Sequence, residues 1–277
     1  MANSMWVDYN KIFSFNAFIN MIVTERGIGK TYGASKAVVD DFLKSKNEFA
    51  YIRRYKSELK KAVPNFFQAL NNNNEFPDHT LSSKGNSFYC DNNQFGYAMT
   101  LSTAQDLKSS NFSKVRTIIF DEFIIEEGQK KFYLQNEVFV FLNLIETIAR
   151  MRDNVRILML GNAGNLYTVP YFLFFDITIP YNTEYKLYKD NSILLYYKTQ
   201  NSEYREKKKN TRFGKLIAGT EFEDYAVNNK CLNDNKVFVE KKTGTSKFSF
   251  AFVYAGETFG VWFDFQQRKN FCFFRLW

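Results

Sequence analysis

The sequence contains the segment Thr24-Glu25-Arg26-Gly27-Ile28-Gly29-Lys30-Thr31, which matches a phosphate-binding loop at every fixed position except the first. That pattern is glycine, four free positions, glycine, lysine, then serine or threonine. Thr24 stands where the first glycine is expected. In such a loop, backbone N–H groups surround the phosphates, the lysine reaches the outer phosphates and the hydroxyl holds Mg²⁺. The nucleotide-binding residues predicted here are Thr24, Arg26, Gly27, Ile28, Gly29, Lys30 and Thr31.

The residues on either side of the loop have the pattern that this motif requires. The apolar residues before it are Phe15, Phe18, Ile19, Met21, Ile22 and Val23, and they predict a buried strand. The apolar residues after it recur at helical spacing: Ala34, Ala37, Val38, Val39, Phe42 and Leu43. A helix that begins at the loop adds its N–H groups and dipole to an anion site. Thr24 fits this arrangement if its φ is negative; the alternative is a chance match in an ordinary loop.

Composition and charge limit the class of protein. The chain has 277 residues, is 45% hydrophobic and carries a net charge of +8, which fits one large or two modest domains and a weak preference for nucleic acid. No apolar run reaches the roughly 18 residues of a membrane span, and we expect no signal peptide. The cysteines, at positions 90, 231 and 272, are odd in number and far apart. They predict a reducing compartment rather than disulfides or a zinc site.

Strands alternate with helices from about residue 15 to 180, which predicts an α/β fold with a mainly parallel sheet covered on both faces. Aromatic and β-branched residues alternate from 236 onward and predict antiparallel strands. We therefore expect a nucleotide-binding domain over 1–183, a linker or lid over 184–235, and a small β-rich domain over 236–277. The chain stops in strand-like sequence, so the completeness of that last domain is left open.

A second chemical signal lies at Asp121-Glu122, directly after the apolar residues Ile118-Ile119-Phe120. In nucleotide-hydrolysing folds the first acid at such a strand end contacts Mg²⁺, and the second acts on the attacking water as a general base. Thr31 and Asp121 are thus the predicted metal ligands and Glu122 the predicted catalytic base. Because a desolvated carboxylate is costly, paired acids at a buried strand end suggest a use. The alternative is a solvated strand end with two surface acids.

A third strand, over 155–160, is followed by Gly161-Asn162. If this strand lies between the other two, the Asn162 amide comes close to the outermost phosphate. The alternative is an asparagine favoured as a turn former.

Several arginines are candidates for contacting phosphate. Arg150 and Arg152 follow a predicted helix over 135–150; each is either an exposed charge favoured by the helix dipole or an arginine finger that acts on a neighbouring subunit. Arg26, and Arg53 with Arg54 at a predicted strand end, are further candidates, and the sequence does not rank these sites.

The segment 202–215 is basic and helix-like. Its candidate DNA-contacting residues are Lys207, Lys208, Lys209 and Arg212. Either they bind the DNA backbone, which would make binding depend steeply on salt, or they form a solvated helix face.

Six segments together resemble the DNA-packaging ATPases of phi-29-type tailed phages. They are Arg26-Gly-Ile-Gly-Lys-Thr31, Tyr51-Ile-Arg-Arg-Tyr-Lys-Ser-Glu-Leu59, Ile118-Ile-Phe-Asp-Glu-Phe123, Pro170-Tyr-Phe-Leu-Phe-Phe175, Thr211-Arg-Phe-Gly-Lys-Leu-Ile217 and Gly260-Val-Trp262. They span most of the chain in the expected order. The resemblance implies an ASCE-type P-loop ATPase domain, a linker and a vestigial ribonuclease H-like C-terminal domain. No nuclease activity is expected, because no cluster of acids follows residue 236 that would build a two-metal site.

The resemblance also implies a role and partners. It implies ATP-driven translocation of double-stranded viral DNA into a preformed prohead, by a ring, typically a homopentamer, docked at the portal. The protein would use ATP and Mg²⁺, and it would work in the host cytoplasm while transiently attached to the prohead. Whether a packaging RNA is a partner is left open. Two alternatives are kept: an ASCE helicase or replication ATPase, and a non-hydrolysing DNA-binding scaffold.

Residue by residue, the resemblance assigns roles to the quoted motifs. Lys30 and Thr31 match the loop lysine and the magnesium ligand, and Asp121 and Glu122 match the metal-side acid and the catalytic glutamate. The remaining assignments are Arg150 as the trans-acting arginine finger, Arg152 as its close competitor, and Thr24 as the one departure from the family's glycine. Arg53 and Asn162 are predicted as nucleotide contacts from their positions at strand ends, independently of the resemblance.

Overall fold

The computed structural model describes residues 5–107, 111–126, 131–163, 169–180, 183–199, 201–220, 222–223, 245–254, 257–266 and 269–274. The strands in these ranges are β1 (Ile19–Thr24), β2 (Glu48–Arg53), β3 (Leu81–Lys84), β4 (Ser87–Cys90), β5 (Asn93–Thr100), β6 (Val115–Asp121), β7 (Arg156–Asn162), β8 (Tyr185–Tyr188), β9 (Ile193–Lys198), β10 (Lys247–Tyr254), β11 (Glu257–Asp264) and β12 (Lys269–Phe274). The α-helices are α1 (Tyr9–Ser14), α2 (Lys30–Ser45), α3 (Lys56–Ala62), α4 (Gln68–Asn72), α5 (Glu137–Ala149), α6 (Pro170–Phe174), α7 (Ser202–Lys209) and α8 (Arg212–Leu216).

Nine strands form one large sheet in the order β3-β4-β5-β2-β6-β7-β1-β9-β8. The six strands from β5 to β9 in this order pair in parallel, whereas β3, β4 and β8 pair antiparallel at the two edges. The predicted mainly parallel α/β sheet is confirmed. The expected place of the third strand is also confirmed, since β7 lies between β1 and β6.

Helices cover both faces of this sheet. All six residues of β1 are buried, and its alternate side chains enter two different cores. Met21 packs in the core that contains α5, whereas Ile22 packs in the core that contains α1 and α2. A strand that is buried on both faces consists of a continuous run of apolar residues. This is why the sequence alone predicted strands β1, β6 and β7.

The large sheet extends past residue 183, the expected end of the first domain. Strand β9 pairs in parallel with β1, and β8 pairs with β9, so the large sheet continues to Lys198. The apolar segment Ile193–Lys198 completes the burial of β1 on its open side, which is why it belongs to the sheet and not to a linker.

Shorter elements agree with the sequence patterns. The helical stretch after β2 breaks at Val63–Asn65, a 3₁₀ turn that contains Pro64, and β4 and β5 form a hairpin. Its turn residues are Asp91 and Asn92, both with positive φ. Strands β10, β11 and β12 form an antiparallel three-stranded sheet. This confirms the predicted antiparallel strands in β10, β11 and β12. Residues 236–244 lie outside the described residues, and a ribonuclease H-like assignment stays a prediction.

Candidate active site

Three parallel strands end side by side at one edge of the large sheet. Thr24, the last residue of β1, lies opposite Asn162, the last residue of β7. Asp121 ends β6, which pairs with the other side of β7. Because the carboxyl ends of parallel strands meet at one edge, where open α/β sheets bind ligands, the fold brings together the loop, the acids and the amide that the sequence predicted separately.

The conformation of the loop accounts for Thr24. Positive φ angles occur at Gly27 (83°) and Gly29 (78°), where a glycine avoids the strain of a Cβ. Thr24 is not among the described residues with positive φ; it is a fully buried strand residue paired on both sides. The condition under which threonine replaces the first glycine is therefore met.

Lys30 links the loop to two strand ends. Its ammonium donates to Thr24 Oγ1 (3.0 Å), to the Glu25 carbonyl (2.8 Å) and to Asn162 Oδ1 (2.7 Å). Burial, together with the nearby Arg26, lowers the pKa of Lys30 to about 8, although Asp121 and Glu25 oppose the shift. All three ammonium protons are thus directed at protein oxygens, so a phosphate oxygen would replace one of these acceptors.

Asp121 lies at the centre of the edge. Its Oδ1 is 3.5 Å from the Thr31 hydroxyl, and its Oδ2 accepts from Tyr51 (2.9 Å) and lies 3.0 Å from Arg53 Nη1. Burial raises the pKa of Asp121, and Arg53 offsets part of that shift. A hydroxyl and a buried carboxylate that face each other are the hard oxygen ligands that Mg²⁺ prefers. Thr31 and Asp121 therefore fit the predicted metal site.

Glu122 is held differently from its neighbour. It has a positive φ of 57°, a conformation that costs about 1–3 kcal/mol for a non-glycine residue. Its carboxylate pairs with Arg53 (2.7 Å) and Lys131 (3.5 Å). Although burial alone raises the pKa of Glu122, these two cations lower it overall. The side chain is therefore kept as a carboxylate, which is the form that a base requires.

Two cavities open onto these residues. One of about 450 Å³ is lined by Thr31, Arg53, Asp121, Glu122 and Lys131, among others. The second, of about 320 Å³, is lined by Arg26, Glu122, Ile124, Glu126 and Asn162. Arg26 forms an ion pair with Glu126, which also accepts from the Asn162 amide (2.5 Å). Glu122 therefore borders both cavities.

A larger cavity of about 970 Å³ lies on the other side of the loop. It is lined in part by Trp6, Tyr9, Gly27, Gly29 and Tyr32. Its size suits a small organic ligand. No local pattern in the sequence predicts this cavity, because its aromatic residues come from separate segments that only the fold brings together.

The two candidate finger arginines have different environments. Arg152 donates to five backbone carbonyls, those of Phe112, Ser113, Val115, Ile148 and Ala149. Its guanidinium thus fixes the end of α5 against the start of β6. Arg150 is exposed, has a φ of 50°, and its side chain makes no hydrogen bond or ion pair with the described residues. Only Arg150 is available to a partner.

The location of Arg150 excludes action on its own site. Val115, the carbonyl partner of Arg152, is the first residue of β6, whereas Asp121 is the last. A seven-residue strand is about 20 Å long. Arg150 therefore lies near the amino ends of the parallel strands, whereas Lys30 and Glu122 of the same chain lie at their carboxyl ends.

The basic segment lies beside the phosphate-binding loop. In α7, Lys207 pairs with Glu203 (2.8 Å), Lys209 lies 3.7 Å from Glu223, and Lys208 lies over the Tyr204 ring. Arg212 is exposed at the first position of α8. Two of the four candidate DNA contacts are therefore partly neutralised, and their role stays a prediction.

The same helix touches the loop through residues that the sequence did not single out. Arg205 forms an ion pair with the buried Glu25 carboxylate. The Tyr204 hydroxyl lies close enough to Gly27 that a Cβ there would come within 2.2 Å of it. Glycine at position 27 is favoured by its positive φ, and a Cβ there would also displace the Tyr204 hydroxyl.

None of the helices in the described ranges is long and apolar enough to cross a membrane.

Comparison with known proteins places these features in a family. The Podovirus DNA encapsidation protein (Gp16) family model matches residues 1–272. The DNA packaging protein of Bacillus phage phi29 is 39% identical over 267 residues, which cover 96% of this chain and 78% of that protein. The DNA packaging protein of Bacillus phage B103 is 39% identical over 256 residues, which cover 92% of this chain and 77% of that protein.

Two solved structures from phi29 are also similar. The N-terminal domain of the phi29 DNA packaging ATPase has a TM-score of 0.63 and 39% identity, covering 70% of this chain and 96% of that domain. The phi29 viral genome packaging motor assembly contains a chain with a TM-score of 0.68 and 38% identity, covering 97% of this chain and 80% of that one.

Proposed function

Because the chain belongs to the Podovirus DNA encapsidation protein (Gp16) family, we propose that it is an ATPase that drives double-stranded viral DNA into a preformed prohead. The observation that carries this proposal is the meeting of Lys30, Thr31, Asp121, Glu122 and Asn162 at one edge of the sheet. This set provides a phosphate ligand, two metal ligands, a base and a polar contact, which are the parts that phosphoryl transfer to water needs from the subunit that binds the nucleotide.

Each residue at the site has its own role in ATP hydrolysis. The loop N–H groups and the dipole of α2 hold the phosphates, and Lys30 exchanges one of its three oxygen partners for a phosphate oxygen. Thr31 and Asp121 would hold Mg²⁺, which when bound neutralises charge on the phosphates. Glu122 orients a water and accepts its proton, and Asn162 contacts the outermost phosphate group. Arg53 holds Asp121 and Glu122 at a fixed separation.

We propose that hydrolysis needs two subunits. Arg150 lies far from its own site and is exposed, so it would act on the ATP of a neighbour in a closed ring, for which a homopentamer docked at the portal is the expected form. The ATPase domain would run to Lys198, followed by a linker that contains α7 and α8 and by a C-terminal sheet for DNA or partner binding. The protein would work in the host cytoplasm, transiently attached to the prohead, and a packaging RNA stays an open partner.

The test of this function measures ATP hydrolysis by the full chain alone, with double-stranded DNA, and with DNA and proheads together. The expected result is hydrolysis that DNA stimulates and that reaches its full rate only with proheads, accompanied by protection of the DNA from added nuclease. Unwinding of a duplex without proheads would instead support the helicase alternative. Absence of ATP binding in a direct titration would support the non-hydrolysing scaffold.

Replacing Thr24 with glycine is expected to leave ATP binding intact. The Thr24 hydroxyl accepts from Lys30 only while the ammonium is directed at the protein, so its loss does not remove a ligand contact. Loss of a buried hydrogen bond to a charged group costs about 1.5–3 kcal/mol, which lowers the Tm. We expect KM for ATP to stay the same or to fall, as measured by steady-state kinetics.

Thr24→Val is the matched control, since it removes the hydroxyl but keeps the branched side chain. It should shift KM as the glycine variant does, with a smaller loss of stability because glycine in a strand interior costs about 0.5–1 kcal/mol more. A large rise in KM for both variants would show that the hydroxyl itself binds nucleotide.

A further inference from the structure

Arg54 lies directly after β2 and next to the catalytic residues, yet it lines neither of the two cavities that open onto them. Its side chain is 1% exposed. Its guanidinium donates to the backbone carbonyls of Glu122 (3.1 Å) and Phe123 (2.8 Å). It therefore contacts the peptide groups that follow Glu122 without reaching the carboxylate that acts on water.

A second group fixes Arg54 in turn. The Glu137 carboxylate, fully buried at the start of α5, accepts from Arg54 Nε (2.7 Å) and Nη2 (2.9 Å). Glu137 also accepts from the Tyr171 hydroxyl (3.0 Å) and from the Leu134 N–H (2.8 Å). The guanidinium lies over the rings of Phe120 and Tyr133. Residues from β2, β6, α5 and α6 thus converge on one planar group.

Stability alone does not account for this pair. Replacing a buried ion pair with uncharged groups of similar volume is often neutral or stabilising, because the desolvation of two charges offsets their attraction. The pair instead places the N–H donors of the Arg54 guanidinium beside the strained backbone at Glu122. Glu122 has a left-handed backbone; its N–H donates to Asp121 Oδ1 (3.1 Å) on one side, and Arg54 holds its carbonyl on the other.

We propose that Arg54 and Glu137 form a positioning pair that holds the backbone of Glu122 in its left-handed conformation, so that the Glu122 carboxylate points at the attacking water. This inference rests on the proposed ATPase function. Neither side chain touches substrate. They act through Glu122. Because Glu137 lies at the start of α5, they also connect the catalytic residues to the helix that Arg150 directly follows.

The first test is Arg54→Lys in the full chain, assayed for ATP hydrolysis with DNA and proheads. Lysine keeps the charge but cannot donate to two carbonyls and a carboxylate in one plane. Because a displacement of about 1 Å at a catalytic group can cost about 100-fold in rate, we expect kcat to fall about 10- to 100-fold while KM for ATP changes less than threefold. Val155→Ala is the control for lost stability. Val155 lies in the same core but at the amino ends of the parallel strands, away from the site.

A second variant keeps the test decisive if Arg54→Lys does not fold. Arg54→Met combined with Glu137→Gln removes both buried charges and leaves an acceptor for Tyr171 and Leu134. Loss of the charge pair itself is often neutral, whereas the Glu122 and Phe123 carbonyls lose a donor, so we expect a moderate fall in Tm together with the reduced kcat. The proposal is overturned if either folded variant keeps the wild-type kcat, or if kcat falls only as far as in Val155→Ala at an equal loss of Tm. Failure of wild-type protein to hydrolyse ATP would instead contradict the proposed function.

Discussion

Replacing Glu122 with glutamine is expected to preserve ATP binding and to lower kcat by about 100- to 10,000-fold, the range that a general base supplies. Glutamine keeps the size and the hydrogen-bonding oxygen of the side chain but cannot accept the proton of the attacking water. Phosphate contacts remain in place, because they come from Lys30, Thr31 and the loop N–H groups. The loss should therefore fall on kcat and leave nucleotide affinity nearly unchanged.

Two measurements separate binding from turnover. Titration of the variant with ATP and Mg²⁺ should give a Kd close to that of the wild type, and a single-turnover assay should show slow hydrolysis. Glu122→Asp is the matched control: it keeps the charge and shortens the side chain by one methylene, so its rate should lie between the other two. Wild-type turnover in Glu122→Gln would remove Glu122 from the mechanism.

The sequence predicted the parts of this site that depend on local patterns. Strand β1, the loop and α2 follow one another in the chain, so apolar spacing and three fixed residues were enough to recognise them. Asp121 and Asn162 were recognisable as polar residues at the ends of apolar strands. That β7 lies between β1 and β6 was a conditional expectation, and the sheet order confirms it.

The sequence did not predict contacts between distant segments. The sheet and its loops bring three further side chains to the site, those of Tyr51, Lys131 and Glu126. No local spacing in the sequence predicts such contacts. Strand β9 was assigned to a linker because its burial depends on β1, which lies more than 150 residues earlier. Arg150 and Arg152 are equivalent in sequence. They differ only in where α5 ends and in which carbonyls are within reach.

That difference leads to the second large effect, at Arg150. Replacing it with alanine is expected to lower ATP hydrolysis by about 1,000- to 100,000-fold in a uniform ring, the range that an arginine finger supplies. The exposed side chain makes no hydrogen bond or ion pair with the described residues, so Tm should not change. Arg152→Ala should behave in the opposite way, since it leaves five carbonyls without a donor and therefore destabilises the fold.

Mixing two inactive variants decides whether Arg150 acts on a neighbour. An Arg150→Ala subunit retains an intact Glu122, and a Glu122→Gln subunit retains an intact Arg150. If each site takes its arginine from the next subunit, random mixing around a closed ring gives about one site in four with both groups intact. An equal mixture assembled on proheads with DNA should therefore hydrolyse ATP when neither variant does so alone. If Arg150 served its own site, no mixture could place the two intact groups together and activity would stay absent; if it served no site, Arg150→Ala alone would keep its activity. Because the sheet separates Arg150 from its own Glu122 by about the length of β6, we expect the mixture to recover.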